Sequence, residues 1–279
     1  MMLQVIGDPV LHSKSPVLHG AMLNALGLEV SYTAKTVCRG ELPDYLNWAM
    51  ENGVTGFNAT MPHKEDLLPL LDKIDPEAAS IGAVNTVCIQ NGTLSGYNTD
   101  GRGFVAALEQ ELGIIPAGLT VTLLGAGGAA KAVACALLQA GAGRVFVCNR
   151  TLSRAEALCA SDPKSRLEPN GFDAETLARL AAQSSLLVNC TNLGMAGCPN
   201  QFENLSFLNA LPHGAAVYDL IYHPAETVLL QTARARGLTA QNGLSMLIWQ
   251  AVLALEHFLG HPLDRPRMAR AAASALERM

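Results

Sequence analysis

Lys64 and Asp100 are the side chains of this sequence best suited to acid–base chemistry. Lys64 belongs to the segment NATMPHKE, residues 58–65, in which Pro62 is predicted to be the first helical residue. Lys64 would then lie in the first helical turn, where a cation opposes the helix dipole and the neutral amine is favoured. A lysine of this kind is suited to proton transfer. The same pattern is also consistent with a surface lysine on an amphipathic helix.

Asp100 lies just beyond a predicted β-hairpin. An Asn-Gly pair at 91–92, between two β-like segments, indicates a two-residue turn because these residues accept positive φ angles. With such a turn Asn85 faces Asn98 across the strands, and Asp100 lies on the same face as Asn98. Asn85 and Asp100 should therefore be neighbours at one end of the hairpin. Asp100 could instead serve only as the N-cap of the next helix, 101–112.

Two serines near the N-terminus form a candidate anion site. Ser15 is predicted to be the N-cap of a helix that has Pro16 at its first position. In an extended approach to that helix, the side chains of Ser13 and Ser15 point the same way, beside the positive end of the helix dipole. Two hydroxyls placed there could hold a carboxylate. Equally, Ser15 could be a simple cap and Ser13 part of an exposed loop.

The segment 119–151 has the pattern of a dinucleotide-binding βαβ unit. Its predicted elements are a strand over 119–124, a helix over 129–140 and a strand over 144–148. Gly125 permits a tight turn, Gly127 lets the backbone approach a pyrophosphate, and Ala130 keeps the helix close to the sheet. The N–H groups at the helix start would hold the phosphates. The alternative is a tight turn in an α/β domain that binds no ligand.

The end of the second strand of this unit predicts which dinucleotide is bound. An NAD site usually carries an acidic residue there for the ribose 2′-hydroxyl, but this chain has Asn149, Arg150 and Thr151, with Arg154 one turn further on. Two guanidinium groups suit a 2′-phosphate, which arginine binds through paired hydrogen bonds. NADP is therefore favoured over NAD. The two arginines could alternatively be solvated side chains at a helix start.

Composition excludes several classes of protein. The chain has 279 residues, is 49% hydrophobic and 15% charged, and carries a formal net charge of −5, which disfavours disorder and nucleic-acid binding. Its length favours two lobes. We find neither a membrane-spanning segment nor an export signal. The seven cysteines include no C-x-x-C pair and the seven histidines form no metal motif, which predicts a cytoplasmic protein with reduced thiols and no metal site.

The C-terminal half is predicted to complete a parallel sheet and to end in two apolar helices. Further strands are predicted at 185–189 and 215–220, and the helices at 244–259 and 262–279. Tyr222 follows the second strand and could contact a substrate or pack on the sheet. Gln250 could face a cleft or lie at the edge of a buried stripe. We expect the two helices to return to the N-terminal lobe.

Nine motifs make the sequence similar to a known enzyme family. In chain order they are IGDPVLHSKSP, NATMPHKE, GAVNTV, YNTDG, GAGGAAKA, CNRT, NCTNLGM, YDLIY and NGLSMLIWQA. Together they resemble the shikimate dehydrogenase family over nearly the whole chain. Three positions depart from the family pattern: Gly20 replaces a usual asparagine, Ala59 a common valine, and Leu220 the methionine of some members.

The resemblance implies roles for individual residues. The implied catalytic pair is Lys64 with Asp100. The implied substrate-binding residues are Ser13, Ser15, Thr60, Asn85, Asp100, Tyr222 and Gln250. The implied cofactor-binding residues are Gly125, Ala126, Gly127, Gly128, Ala129, Asn149, Arg150, Thr151, Arg154, Leu220 and Gly243.

The resemblance also implies an architecture and a reaction. The expected fold is α/β with two lobes: an N-terminal substrate domain over 1–101, a Rossmann-type NADP-binding domain over 102–242, and C-terminal helices over 243–279 that brace the substrate domain. The expected reaction is the reversible reduction of 3-dehydroshikimate to shikimate by NADPH. A quinate/shikimate or aminoshikimate-type dehydrogenase and a non-catalytic NADP-sensing module remain alternatives. A small-molecule substrate is expected, without nucleic acid or membrane partners, and a homodimer is left open.

Overall fold

Two sheets of six strands each organise the chain. The computed structural model describes residues 1–160, 162 and 164–278. Residues 1–103 and 248–279 form one compact unit, and residues 104–247 form the other.

Each unit contributes six strands. The first unit contains β1 (Met2–Gly7), β2 (Ser31–Thr36), β3 (Val54–Ala59), β4 (Lys73–Ile74), β5 (Thr86–Gln90) and β6 (Thr93–Tyr97). The second contains β7 (Thr120–Leu124), β8 (Arg144–Cys148), β9 (Leu167–Asn170), β10 (Leu186–Asn189), β11 (Ala216–Asp219) and β12 (Thr239–Asn242).

Helices alternate with these strands along the chain. They are α1 (Ser15–Ala25), α2 (Leu42–Glu51), α3 (His63–Asp66), α4 (Pro76–Ile81), α5 (Asp100–Leu112), α6 (Gly128–Gln139), α7 (Leu152–Cys159), α8 (Ala174–Ala181), α9 (Val228–Ala235), α10 (Leu244–Leu259) and α11 (Arg265–Leu276). Short 3₁₀ helices lie at Leu68–Leu70 and Ser206–Ala210.

The sheet of the first unit is mixed. Its strand order is β2-β1-β3-β5-β6-β4, and β5 runs antiparallel to both β3 and β6 whereas β1 is parallel to β2 and β3. The apolar side of α2 places Leu42, Tyr45, Leu46 and Ala49 in the core, at the spacing expected for one face of a helix. Phe57 of β3 is fully buried in the same core.

The sheet of the second unit is parallel throughout its strand pairs. Its order is β12-β11-β10-β7-β8-β9, which numbered within the unit is 6-5-4-1-2-3, the order of a dinucleotide-binding fold. The direction of winding reverses between β7 and β10, and such a switch point is where open α/β sheets bind ligands. The predicted two-lobe α/β fold with a Rossmann-type sheet is confirmed.

The C-terminal helices differ in how well they follow the prediction. Helix α10 has the predicted bounds, whereas α11 begins at Arg265 and not at residue 262, because the side chain of Asp264 accepts the N–H of Arg267 and caps the helix there. The predicted last helical residue, Met279, lies outside the described residues. Helix α11 packs on α1, and Arg267 donates to the carbonyl of Ala25 at 2.7 Å. The expected return of the C-terminus to the N-terminal lobe is confirmed.

The described part of the chain contains neither a membrane-spanning helix nor a cluster of metal-ligating side chains. Over 1–160, 162 and 164–278, no helix combines the length and apolar character that crossing a membrane requires. Over the same residues, no group of three or more His, Cys, Asp and Glu side chains is placed to hold a metal ion.

Acidification should destabilise the first unit through His19. His19 is fully buried and stacks on Tyr32, with ring centroids 4.1 Å apart. Burial lowers the pKa of His19 from 6.5 to about 3. Between these two values the unfolded chain binds a proton that the folded chain does not, so the free energy of unfolding should fall below about pH 6.5, by up to about 1.4 kcal/mol per pH unit.

The measurement is urea unfolding of the protein and of His19→Phe at several pH values between about 7.5 and 4.5. Both tryptophans, Trp48 and Trp249, belong to the first unit, so their fluorescence reports its unfolding. As the pH is lowered, the free energy of unfolding of the protein should decline relative to that of His19→Phe. The exposed-histidine control His261→Gln should show the same pH dependence as the unmodified protein. A constant difference between the protein and His19→Phe would contradict this prediction.

Candidate active site

The structure joins Lys64, Asp100 and Asn85 in one polar cluster. Lys64 Nζ lies 2.6 Å from Asp100 Oδ2, and Asn85 Nδ2 donates to Asp100 Oδ1 at 2.8 Å. The Lys64 side chain is 31% exposed and that of Asp100 only 12%. Both carboxylate oxygens are thus engaged, while the amine reaches solvent. The prediction that Asn85 and Asp100 are neighbours is confirmed.

The hairpin positions this cluster as predicted. Gln90 pairs with Thr93, which leaves the two-residue loop Asn91-Gly92 with φ angles of 51° and 75°, as a type I′ turn requires. The pairing continues to the N–H of Asn85, which donates to the carbonyl of Tyr97 at 3.0 Å. Turn chemistry therefore sets the place of the Asn85 amide.

Asp100 itself is the first residue of α5. Its N–H donates to Asn98 Oδ1 at 3.0 Å, and its carboxylate contacts Lys64 and Asn85 from the start of the helix. The interpretation of Asp100 as only an N-cap is therefore wrong. Its position at a helix start directs the side chain towards the hairpin end.

Lys64 is held differently from the prediction. Pro62 occupies the N-cap position and α3 begins at His63, so Pro62 is not the first helical residue. The helix has only four residues, and so short a helix has few aligned peptide dipoles to act on an amine. Two contacts fix the segment: buried His63 bonds the carbonyl of Val37 at 2.7 Å, and the N–H of Val84 donates to the Lys64 carbonyl at 2.7 Å. The contact with Asp100 is thus the side-chain interaction that holds the Lys64 amine in place.

The serine pair also departs from the prediction in detail. Helix α1 begins at Ser15 itself and Lys14 is at the N-cap position, so the prediction of Ser15 as the N-cap is wrong. The reason is that Ser13 Oγ accepts the N–H of Ser15 at 3.2 Å, which turns the chain one residue earlier. Ser15 is buried and Ser13 is half-buried. Their role as a carboxylate cradle stays a prediction.

Thr60 and Gln250 lie in the same unit as this cluster. Strand β3 ends at Ala59, so Thr60 directly follows the strand, and its N–H donates to the carbonyl of Ile6 at 2.9 Å. Gln250 is buried on α10, and its Oε1 lies 3.5 Å from Thr99 Oγ1. Thr99, which the sequence analysis missed, also contacts Asn85. Its place in the motif YNTDG was the only available signal.

The glycine turn after β7 fits a pyrophosphate. Gly125 has φ of 108°, and a Cβ there would lie 3.2 Å from Thr191 Cγ2, so the tight turn requires glycine. A Cβ on Gly127 or Gly128 would meet nothing within 4 Å, so open space lies beside the start of α6. Ala130 is fully buried. These features match the requirements of a phosphate site at a helix N-terminus.

The residues after β8 are arranged around the start of α7. Thr151 is at the N-cap position of α7, and its carbonyl accepts hydrogen bonds from Asn149 Nδ2 at 2.8 Å and from the N–H of Arg154 at 3.0 Å. Arg150 and Arg154 are exposed. Two exposed guanidinium groups beside a hydroxyl and an amide suit a phosphate dianion.

A buried carboxylate missed by the sequence analysis organises the loop after β11. Asp219 accepts hydrogen bonds from Asn189 Nδ2 at 2.9 Å, Thr227 Oγ1 at 2.6 Å and the N–H of Ile221 at 3.1 Å. Burial raises the pKa of Asp219. Asp219 thereby ties the strand end to the loop that carries Leu220 and Tyr222.

The predicted residues of this loop lie in different surroundings. The carbonyl of Leu220 lies close to Gly243, and burial raises the pKa of the half-buried Tyr222. Tyr222 belongs to residues 104–247, whereas the other predicted substrate-binding residues belong to the first unit. Its role stays a prediction.

Gly243→Ala should destabilise the second unit. A Cβ at Gly243 would overlap the carbonyl oxygen of Leu220, so the backbone must shift, at a cost of about 1–3 kcal/mol. Thermal unfolding followed by calorimetry would measure the change. The control is Gly20→Ala inside α1, where a Cβ meets nothing within 4 Å and a helical alanine is favoured by about 0.5–1 kcal/mol. Equal melting temperatures for the two variants would contradict the prediction.

Comparisons with known proteins identify the family of this chain. Three family models match in order: the shikimate dehydrogenase substrate binding domain over 5–87, shikimate/quinate 5-dehydrogenase over 110–193, and the shikimate 5′-dehydrogenase C-terminal domain over 243–273. The shikimate dehydrogenase (NADP(+)) of Geobacter sp. strain M21 is 43% identical over 277 residues, which cover 98% of this chain and 94% of that protein. This chain belongs to the shikimate dehydrogenase family.

Solved structures of the family have the same fold. The shikimate 5-dehydrogenase of Thermus thermophilus, in complex with NADP(H) and shikimate, is 40% identical, with a TM-score of 0.83 and coverage of 99% of both chains. The quinate dehydrogenase of Corynebacterium glutamicum, in complex with NAD, is 34% identical, with a TM-score of 0.85 and coverage of 98% of this chain and 99% of that one. The first of these structures thus contains NADP(H) and the second NAD.

Proposed function

We propose that this protein is an NADP-dependent shikimate dehydrogenase that reversibly reduces 3-dehydroshikimate to shikimate in aromatic amino-acid biosynthesis. The observation that carries the proposal is the hydrogen-bonded pair of Lys64 and Asp100, with 2.6 Å between Nζ and Oδ2. An amine that is paired with a buried carboxylate can hold a proton and release it to a substrate. Because this amine is partly exposed, it can then take up a new proton from solvent. Reduction of a carbonyl requires such a proton.

The residues of the first unit supply the acid–base chemistry. When NADPH is bound, it supplies the hydride that the carbonyl carbon accepts. Lys64 then delivers a proton from Nζ to the developing alkoxide, and in the oxidation direction it removes that proton from the hydroxyl. Asp100 keeps the amine in place, and the two titrate as one coupled unit. Ser13 and Ser15 hold the substrate carboxylate, and Thr60, Asn85 and Gln250 bind the rest of the ring. Tyr222, a residue of the second unit, is a further proposed substrate-binding residue.

The residues of the second unit hold the cofactor in this proposal. The turn Gly125–Ala129 and the start of α6 bind the pyrophosphate. Asn149, Arg150, Thr151 and Arg154 bind the adenosine 2′-phosphate. Leu220 and Gly243 lie by the nicotinamide. The proposed division of the chain is a substrate-binding domain over residues 1–101, an NADP-binding domain over residues 102–242, and C-terminal helices over residues 243–279 that brace the substrate domain.

Quinate dehydrogenation is the second candidate function. It is favoured by the likeness to a quinate dehydrogenase at 34% identity. The pair of exposed arginines at 150 and 154 supports NADP over NAD in either case.

A cytoplasmic location and a homodimer are further parts of the proposal.

The deciding experiment is the initial rate of oxidation of shikimate and of quinate, each with NADP and with NAD. The rate is followed by the absorbance of the reduced nicotinamide. A shikimate rate with NADP far above the other three combinations would support the proposal. Comparable quinate turnover would favour the second candidate. Saturable binding of NADP without turnover of either acid would overturn both and favour an NADP-sensing module.

A further inference from the structure

A continuous chain of side-chain hydrogen bonds leads away from Asp100 into the core of the first unit. Tyr32 Oη donates to Asn58 Oδ1 at 2.7 Å, and Asn58 Nδ2 donates to Thr86 Oγ1 at 3.0 Å. Thr86 Oγ1 donates in turn to Asn85 Oδ1 at 2.9 Å. The chain ends where Asn85 Nδ2 donates to Asp100 Oδ1 at 2.8 Å. Three of these residues, Tyr32, Asn58 and Thr86, have no part in the proposed reaction.

The direction of donation along this polar chain is the same at every step. The carboxylate of Asp100 accepts from both Lys64 and Asn85, which requires that Asn85 turn its NH₂ group towards Asp100 and its oxygen away. The oxygen of Asn85 then accepts the single proton of the Thr86 hydroxyl, together with the N–H of Thr99. Thr86 in turn accepts from Asn58. The orientation of each group therefore depends on the next one.

Burial makes these orientations rigid. Tyr32, Asn58, Asn85 and Thr86 are all between 0% and 8% exposed, so a lost hydrogen bond cannot be replaced by bulk water. The Asn85 amide is also engaged by Thr99 at both ends, because its Nδ2 donates to Thr99 Oγ1 at 3.0 Å and its Oδ1 accepts the N–H of Thr99 at 2.9 Å. An amide flip would set the Asn85 oxygen against the Asp100 carboxylate and its NH₂ group against the N–H of Thr99.

We propose that Thr86, Asn58 and Tyr32 are positioning residues that orient the Asn85 amide and, through it, the Asp100 carboxylate that partners Lys64. This inference rests on the proposed function of the Lys64–Asp100 pair. A simpler view is that the three side chains only stabilise the sheet of the first unit, as buried polar groups in a core do. The two views differ in what they predict for turnover.

Thr86→Val tests the proposal because it keeps the shape of the side chain and removes the hydroxyl. Asn85 Oδ1 then loses one donor and Asn58 Nδ2 loses one acceptor. We expect kcat for shikimate oxidation to fall about 10-fold, since a small misplacement of catalytic groups is costly in rate. KM for shikimate and for NADP should change less than about twofold. Thr86→Ser, which restores the hydroxyl, should recover most of the lost kcat.

The matched control is Thr122→Val in the second unit. Thr122 Oγ1 shares a 2.8 Å hydrogen bond with Ser184 Oγ, and both side chains are fully buried, so this variant also removes a buried threonine hydroxyl from a strand. It should lower the melting temperature without lowering kcat. If Thr86→Val does not fold, Tyr32→Phe, which removes the first donor of the polar chain, replaces it and should lower kcat.

The possible results separate this inference from the proposed function. If the unmodified protein oxidises neither shikimate nor quinate, the proposed function fails. If the unmodified protein is active and Thr86→Val keeps its kcat while losing stability like Thr122→Val, the three residues are purely structural and the positioning proposal is overturned. A kcat loss in Thr86→Val that serine does not recover would also overturn it.

Discussion

Lys64→Ala should lower kcat for shikimate oxidation by about 100- to 10,000-fold, the usual effect of removing a general acid–base group. The loss is expected because no other amine is bonded to Asp100 in the structure of residues 1–160, 162 and 164–278. The folded state should persist, since the Lys64 side chain is 31% exposed and its backbone contacts remain. Steady-state kinetics with circular dichroism and thermal unfolding on the same samples would measure both effects.

A matched control for Lys64→Ala is Lys73→Ala. Lys73 is an exposed lysine on β4 of the same unit, so the change removes the same charge and the same number of atoms away from Asp100. Its kcat should stay within about twofold of the unmodified enzyme, as for most surface substitutions. Turnover of Lys64→Ala at near the normal rate would show that the proton comes from elsewhere.

The double variant Arg150→Gln/Arg154→Gln should remove the preference for NADP. Each guanidinium that binds a phosphate contributes a charge-assisted hydrogen bond of about 1.5–3 kcal/mol, so the loss of both should raise KM for NADP by about 100-fold or more. KM for NAD should change little, since NAD lacks the 2′-phosphate. The readout is the ratio of kcat/KM for NADP to that for NAD.

Arg144→Gln controls for the general loss of positive charge near this strand. Arg144 begins β8, whereas Arg150 follows its carboxyl end, and the Arg144 side chain is exposed and paired with Glu168 at 3.0 Å. The NADP-to-NAD ratio of this variant should match that of the unmodified enzyme. An equal fall in both variants would mean that the field of the surface, and not a specific phosphate contact, sets the preference.

The parts of the site predicted most accurately from sequence depend on local backbone chemistry. The Asn91-Gly92 turn fixed the pairing of its two strands, and the contact between Asn85 and Asp100 followed from the alternation of a strand. Gly125 was identified because its turn requires a positive φ, and the structure gives 108° there. In each case short-range sterics outweigh the surroundings, so a few residues carry enough information.

Other features could not be predicted because they depend on distant partners. The prediction that Ser15 is the N-cap was wrong because the hydroxyl of Ser13 accepts the N–H of Ser15, and the helix begins at Ser15 itself. The buried partners of Asp219 come from Asn189 and Thr227, which are far apart in sequence. Likewise, Tyr32 and Asn58 bond across 26 positions. Periodicity shows that such residues are on a strand but not which polar group they meet.

The order in which the chain is synthesised has a consequence for how the enzyme matures. The first unit is built from 1–103 together with 248–279, while residues 104–247 form a contiguous unit between them. A ribosome therefore releases the whole parallel sheet before α11 can pack on α1, and units generally fold as they emerge. The unit that carries Lys64 and Asp100 therefore stays incomplete until residues 248–279 have been synthesised. Deletion of α11 should accordingly destabilise the unit that contains residues 1–103 and leave the unit of residues 104–247 folded.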